Sequence, residues 1–304
     1  MAKLLSNVSA MNGSESDDEK VLQWSSDEAI ERAANVSEAS KGTKDTPNIL
    51  HFMWVSAHLG EWTDGACSVP RFAVKIMRLW EKMHVGWTVV LWTNRTVRMY
   101  LASVSDSLLK HLPVAAWVSD IARLGVLDQF GGLYVDVDTL PLKRWDSLVQ
   151  EHSPFAICTR AFGGSLVVGE GRGTQCKMVA NGVIASPAGS SIMSKTFRQV
   201  VVKSDTYGQR GRRAFDVKVA GPVVLTRVLR QHEPLRGEKN FTLLSHSFFF
   251  PCTLRERAAC NPVEAARDGK LFSVHLNRGS WYTDKPKGQG GTKQSIQIVG
   301  QEAT

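Results

Sequence analysis

Residues 117–142, WVSDIARLGVLDQFGGLYVDVDTLPL, constrain the chain more than any other stretch. Ile121, Leu124, Val126, Leu127 and Phe130 recur at helical spacing, with Ser119 placed to cap the helix. Gly131-Gly132 supplies the left-handed residue on which such a helix stops. Leu133 to Val137 is apolar and partly β-branched, as a buried strand requires. Asp120 and Arg123, three apart, share a helical face. Asp136 and Asp138, two apart, share one side of the strand. Ionisable groups around an otherwise apolar hairpin call for a chemical reason.

For the two carboxylates that reason is a hard divalent cation. Mg²⁺ or Mn²⁺ is held by one or two carboxylates together with water and substrate phosphates, and it neutralises a diphosphate leaving group. Asp-x-Asp alone also describes two solvated acids at a strand end, and the motif by itself does not separate the two.

The surrounding run does more. Ser119-Asp120-x-x-Arg123, a short helix, Gly131-Gly132-x-Tyr134 and Asp136-x-Asp138 resemble the sugar-transferring glycosyltransferases with a DXD motif. That family (glycosyltransferase family 32) includes initiation-specific α-1,6-mannosyltransferases, capsular-polysaccharide transferases and, distantly, glucosylating clostridial toxins. The likeness runs from about Asn48 to Tyr282. It implies a GT-A type α/β fold with a mostly parallel central sheet flanked by helices. By resemblance Trp54 stacks on the nucleotide base, Asp120 hydrogen-bonds sugar hydroxyls, and Arg123 supports the sugar or phosphate. Tyr134, Asp136 and Asn181 join the donor site on the same ground. His275 completes the metal shell, and Ser280-Trp281 closes over the donor. Asp120, Arg123 and Asp138 are then the catalytic set, and Asp136, Asp138 and His275 the metal set. The implied donor is a nucleotide-diphosphate sugar, UDP-linked before GDP-mannose, and the implied acceptor a glycan, with anomeric configuration retained. An imidazole ligand suits Mn²⁺ better than Mg²⁺.

The order of elements agrees with such a sheet. Asn48 to Val55 and Trp87 to Trp92 read as buried strands, with a helix from Pro70 between them and a helical crossover over Asn94 to His111. His51 reads as structural. Trp145 and Leu148 should cover the sheet, Phe155 to Cys158 should add a strand, and Gly163 to Gly173 should form a loop or hairpin tip. By resemblance Asn181 to Ala185 reads as a strand near the sugar, with Asn181 a sugar-side contact, and Asn181-Gly182 as a turn is the alternative. Ser190 to Val201 and Pro222 to Leu229 read as helices, and by resemblance Phe248 to Pro251 reads as a strand. No G-x-G-x-x-G and no Walker loop is present, which disfavours dinucleotide and P-loop chemistry.

Composition enters through its distribution. Residues 1–45 hold nine acids against five bases and read as a mostly disordered acidic segment with a helix near Ser26 to Ala34. Residues 46–283 read as the transferase domain and 284–304 as a flexible tail. The net charge of +8 therefore leaves +12 on residues 46–304, and Lys195 to Lys239 alone carries eleven bases against four acids. This basic stretch is a solvated face or the site of an acidic partner. It keeps open two rivals, the same chemistry on a nucleic-acid or protein acceptor, and a non-catalytic module binding a nucleotide sugar or anion. Five cysteines without metal-like spacing are expected as reduced thiols. No apolar run reaches the ~20 residues of a membrane span, and a soluble, cytoplasmic chain is expected.

Overall fold

The computed structural model describes residues 17–55, 69–104, 115–159, 167–170, 176, 178–209, 220–231, 240–250 and 269–276. Two helices come first, α1 (Asp17–Trp24) and α2 (Asp27–Ala39), followed by β1 (Ile49–Met53), α3 (Arg71–Met83), β2 (Thr88–Trp92) and α4 (Asn94–Val104). The central block follows as α5 (Ala115–Phe130), β3 (Gly132–Val135) and β4 (Thr139–Pro141). Then come α6 (Asp146–His152), β5 (Phe155–Cys158), β6 (Val167–Glu170), β7 (Val179–Ser186), α7 (Ser191–Gln209) and α8 (Pro222–Gln231). β8 (Thr242–Ser245), a 3₁₀ turn (His246–Phe248) and β9 (Ser273–His275) complete the described chain.

Seven strands form one sheet in the order β2-β1-β3-β7-β5-β8-β6, and β4 pairs with β9 in a second, two-stranded sheet. β2, β1, β3, β5 and β8 run one way, while β7 and β6 run against them. The expected α/β architecture with a mostly parallel central sheet is therefore present. Its strands read as unbroken apolar runs because both faces are covered. Val89 and Leu91 pack on one face with α3, and Val90 and Trp92 pack on the other with α5.

α5 is buried almost all round, which explains why its apolar pattern exceeds a single stripe. The helix starts at Ala115, four residues before the expected cap, so Ser119 lies in its interior and serves another purpose described below. Gly131 (φ +64°) and Gly132 (φ +99°) end α5 and lead straight into β3. Two indoles pin the neighbouring hairpin in place. Trp80 of α3 donates from Nε1 to the Thr139 carbonyl at 2.8 Å, and Trp145 donates to the Phe272 carbonyl at 3.2 Å.

Several expectations change. The helix expected near Ser26 to Ala34 is α2, capped by Ser26, but the segment before it, expected to be disordered, contains α1. α1 docks on α3 through buried Trp24, whose Nε1 donates to Glu81 at 3.0 Å, and through the pairs Asp17–Arg78 (3.4 Å) and Lys20–Glu81 (3.7 Å). Such a helix owes its stability to packing that a local reading does not contain. Gly163 to Gly173 includes the edge strand β6, paired with β8. The segment at Phe248, expected as a strand, turns through the 3₁₀ element, with Phe249 stacked on Phe272. Cys158 and Cys176, expected as thiols, form a disulfide. One ends β5 and the other precedes β7, its antiparallel neighbour, so the pairing belongs to the sheet and not to the spacing. Residues 284–304 lie outside the described residues. No helix among the described residues is long and apolar enough to cross a membrane.

His51 is structural, as expected. It is fully buried, with Nε2 2.8 Å from the Gly131 carbonyl and Nδ1 accepting from the Trp92 indole at 3.2 Å. Both contacts fit only the neutral ring with its proton on Nε2. Burial pushes its pKa down to about 4, against the opposing pull of the Gly131 bond. The folded value lies below the ordinary 6.5, so the stability linked to this group is complete above pH 6.5 and is lost as pH falls towards 4. The full effect is about 3 kcal/mol. We expect the urea midpoint of the wild type to fall over that window more steeply than that of His51→Gln, which cannot charge. Identical slopes would remove His51 as the cause.

Candidate active site

The site forms at the carboxyl edge of β3, where open α/β sheets bind ligands. β3 ends at Val135, so Asp136 and Asp138 lie beyond the strand and do not share a side by alternation. A turn brings them together instead. The Asp136 amide donates to the Gly182 carbonyl of β7 at 2.8 Å, and the Thr139 amide donates back to the Asp136 carbonyl at 2.9 Å. β4 then pairs antiparallel with β9, Thr139 opposite His275, and the Leu276 amide donates to the Asp138 carbonyl at 2.9 Å.

That pairing delivers His275 to the acids. Its Nε2 lies 3.1 Å from Asp138 Oδ1 and 3.5 Å from Asp136 Oδ2. One ligand atom from each of the three residues lies within 4.8 Å of the others. Burial alone would push the imidazole down, but hydrogen bonds to both carboxylates and their charge raise its pKa to about 10. The Phe250 ring meets the imidazole edge-on at 5.2 Å.

The other half of the site is built on Arg123, which is wholly buried. Its five N–H groups face five acceptors. Nε donates to the Ser119 carbonyl (3.1 Å), and Nη1 donates to Asp136 Oδ1 (3.1 Å) and the Asn181 carbonyl (2.7 Å). Nη2 donates to Ser119 Oγ (2.9 Å) and pairs with Asp120 Oδ1 (3.3 Å). The guanidinium also lies 4.6 Å from the centre of the Tyr134 ring, whose hydroxyl donates to Asp136 Oδ1 at 2.9 Å. Arg123 thus has no N–H turned towards a sugar or phosphate. Its side chain holds Asp120 and Asp136 in place instead, and Ser119 holds Arg123.

Asp120 is buried, and Oδ1 also accepts from Asn181 Nδ2 at 2.6 Å. Burial raises its pKa to about 6, with the Arg123 charge and the Asn181 bond acting the other way. Asn181-Gly182 is not a turn, because it lies inside β7. A side chain at Gly182 would put Cβ 2.5 Å from Asp136 Oδ2, and one at Gly221, before α8, would collide with Asp120 Oδ2. These two glycines leave room for one oxygen of each carboxylate, a role the Asn-Gly and Gly-Pro pairs do not announce in sequence.

The remaining expected residues distribute as follows. Trp54, half-buried, follows β1 and donates its amide to the Trp92 carbonyl at 2.8 Å, so it stands at the same sheet edge as Asp136, one strand away. Tyr134, Asn181, Asp120, Arg123, Asp136, Asp138 and His275 come together. Ser280 and Trp281 lie outside the described residues, as do Arg210, Arg212 and Arg213 of the basic stretch.

Residues 70–154 match the family model described as "Glycosyltransferase sugar-binding region containing DXD motif". That stretch is similar to a DXD glycosyltransferase region. The matched stretch holds Asp120, Arg123, Asp136 and Asp138, whereas Trp54, Asn181 and His275 reach the candidate site from outside it. A solved structure named "PaToxG Glycosyltransferase" is similar over 67% of this chain and 76% of its own, at 20% identity and a TM-score of 0.41. No curated protein matches the sequence.

The residues of this candidate site fit a divalent cation. Two carboxylates and an imidazole converge, and each residue offers one ligand atom to a divalent cation. Arg123 and Tyr134 occupy Asp136 Oδ1, and Oδ2 is the oxygen turned to His275 and kept clear by Gly182.

Proposed function

We propose that the protein moves a hexose from a nucleotide-diphosphate sugar to a hydroxyl acceptor with retention of anomeric configuration, in a site of GT-A type. The observation that carries this reading is the convergence of Asp136, Asp138 and His275 beside the Asp120–Arg123 pair. Asp136, Asp138 and His275 would hold Mn²⁺ or Mg²⁺, which when bound supplies positive charge to the departing diphosphate.

The chain's own residues do the rest. Asp120, fixed by Arg123 and Asn181, presents a carboxylate to sugar hydroxyls. Trp54 offers its ring to the base, a stacking contact worth about 1–3 kcal/mol. Trp281, with Ser280, covers the donor and excludes water, which favours transfer over hydrolysis. A UDP-sugar is the favoured donor and a glycan the favoured acceptor. An anionic acceptor, such as nucleic acid or an acidic protein face, has one observation in its favour. α7 and α8 expose Lys195, Arg198 and Arg227, and the ammonium of Lys203 is pulled down by burial and by the nearby charge of Arg227.

A panel of UDP- and GDP-sugars incubated with the protein and Mn²⁺ tests the reading. We expect hydrolysis of one donor class, abolished by EDTA and restored by Mn²⁺. Intact donors throughout, together with a Tm that nucleotide plus Mn²⁺ leaves unmoved, would leave only a non-catalytic role.

A further inference from the structure

The turn that carries the acidic pair ends on Thr139, whose side chain has no part in the account so far. Thr139 is fully buried, and its Oγ1 has no hydrogen-bond partner among the described residues. Both of its backbone groups are engaged, the amide with the Asp136 carbonyl and the carbonyl with the Trp80 indole. A buried hydroxyl left unpaired costs about 1–3 kcal/mol, and valine has nearly its shape without that cost. Fold alone gives no reason for threonine here.

Its location supplies one. Thr139 is paired directly with His275. Residues directly opposite in an antiparallel pair project to the same face, with Cβ atoms about 4.5–5.5 Å apart. The next pair, Leu140 and Val274, projects to the other face and packs in the apolar clusters there. The unpaired hydroxyl therefore lies on the face that carries the imidazole, one residue along the chain from Asp138.

We propose that the Thr139 hydroxyl is a positioning group of the cation site, hydrogen-bonded to a water of the cation's own shell. The inference rests on the proposed metal dependence and adds a residue to it. Hard cations keep several waters when carboxylates bind them, and buried polar groups that lack a protein partner are served by water. A hydroxyl accepts from a cation-bound water without adding charge to a site that already holds two carboxylates. Side chains that orient a metal's first shell are worth about 10–100-fold in affinity.

Calorimetric titration of Mn²⁺ into the metal-free wild type, Thr139→Val and Thr139→Ser tests this, together with the metal-free Tm of each. We expect Thr139→Val to bind Mn²⁺ about tenfold more weakly while its metal-free Tm stays level or rises, and Thr139→Ser to keep wild-type affinity. A Thr139→Val protein with wild-type affinity would overturn the proposal. So would a weaker affinity accompanied by a lower metal-free Tm, since the hydroxyl would then be structural. A wild type that takes up no Mn²⁺ would overturn the metal reading itself, and that outcome is distinct from the other two.

Discussion

Arg123→Met is expected to lose about 3–5 kcal/mol of stability, because it strips the partner from two carboxylates, one of them buried. Methionine fills much of the space and removes all five donors, so packing changes little while Asp120, Asp136, Ser119 and the Asn181 carbonyl each lose a bond. Asp120 then faces Asn181 alone, and the charge that holds its pKa down is gone, so a larger fraction is protonated at neutral pH. Arg123→Lys should rescue little. An ammonium offers three donors from one point and does not span acceptors on α5, β7 and the turn after β3. Urea denaturation and donor hydrolysis measured on both variants decide the matter. A Met variant with the wild-type midpoint would show that the guanidinium is not what organises the two acids.

Asp138→Asn should behave in the opposite way. Asp138 is half-buried and lies 3.1 Å from His275. The substitution keeps shape and removes charge, so a stability change within about 1 kcal/mol is expected. Loss of a metal ligand costs more than loss of a group that merely orients one, so Mn²⁺ affinity should drop by at least about 100-fold, and donor turnover should all but vanish. Titration calorimetry and hydrolysis under saturating donor read the two effects separately. Full turnover in this variant would end the assignment of the acidic pair to a cation. Together the two variants separate a side chain that builds the site from one that works in it.

Much of this arrangement was open to local reading. The α5–β3 joint follows from an apolar stretch, a glycine pair and a β-branched run, and those signals are decided within a few residues. Spacing alone put Asp120 beside Arg123, because three residues is nearly one helical turn. Other features were out of reach for a definite reason. Ser119 looked like a cap because capping residues and residues that grip a buried guanidinium are chemically the same. The strand from Asn181 is legible by resemblance, but Asn-Gly also favours a turn, and nothing local says that Gly182 clears space for a carboxylate. α1 reads as disordered because its partners, Glu81 for the Trp24 indole and for Lys20, and Arg78 for Asp17, lie on a helix more than fifty residues away.

From the sequence alone came the class of chemistry. Acids two apart after a buried strand, preceded by an acid and an arginine on one helical turn, carry the resemblance that implies it. Resemblance already names His275 for that set, and tertiary structure alone decided how it arrives and where Arg123 turns. His275 lies far down the chain from Asp138 and meets it through three pairs of strand residues, and Arg123 turns inward because Ser119 and the Asn181 carbonyl wait for it there. The physical reason is range. Hydrogen-bond and helical periodicities act over a few residues, whereas coordination and charge compensation act through space, and only a folded chain defines that distance.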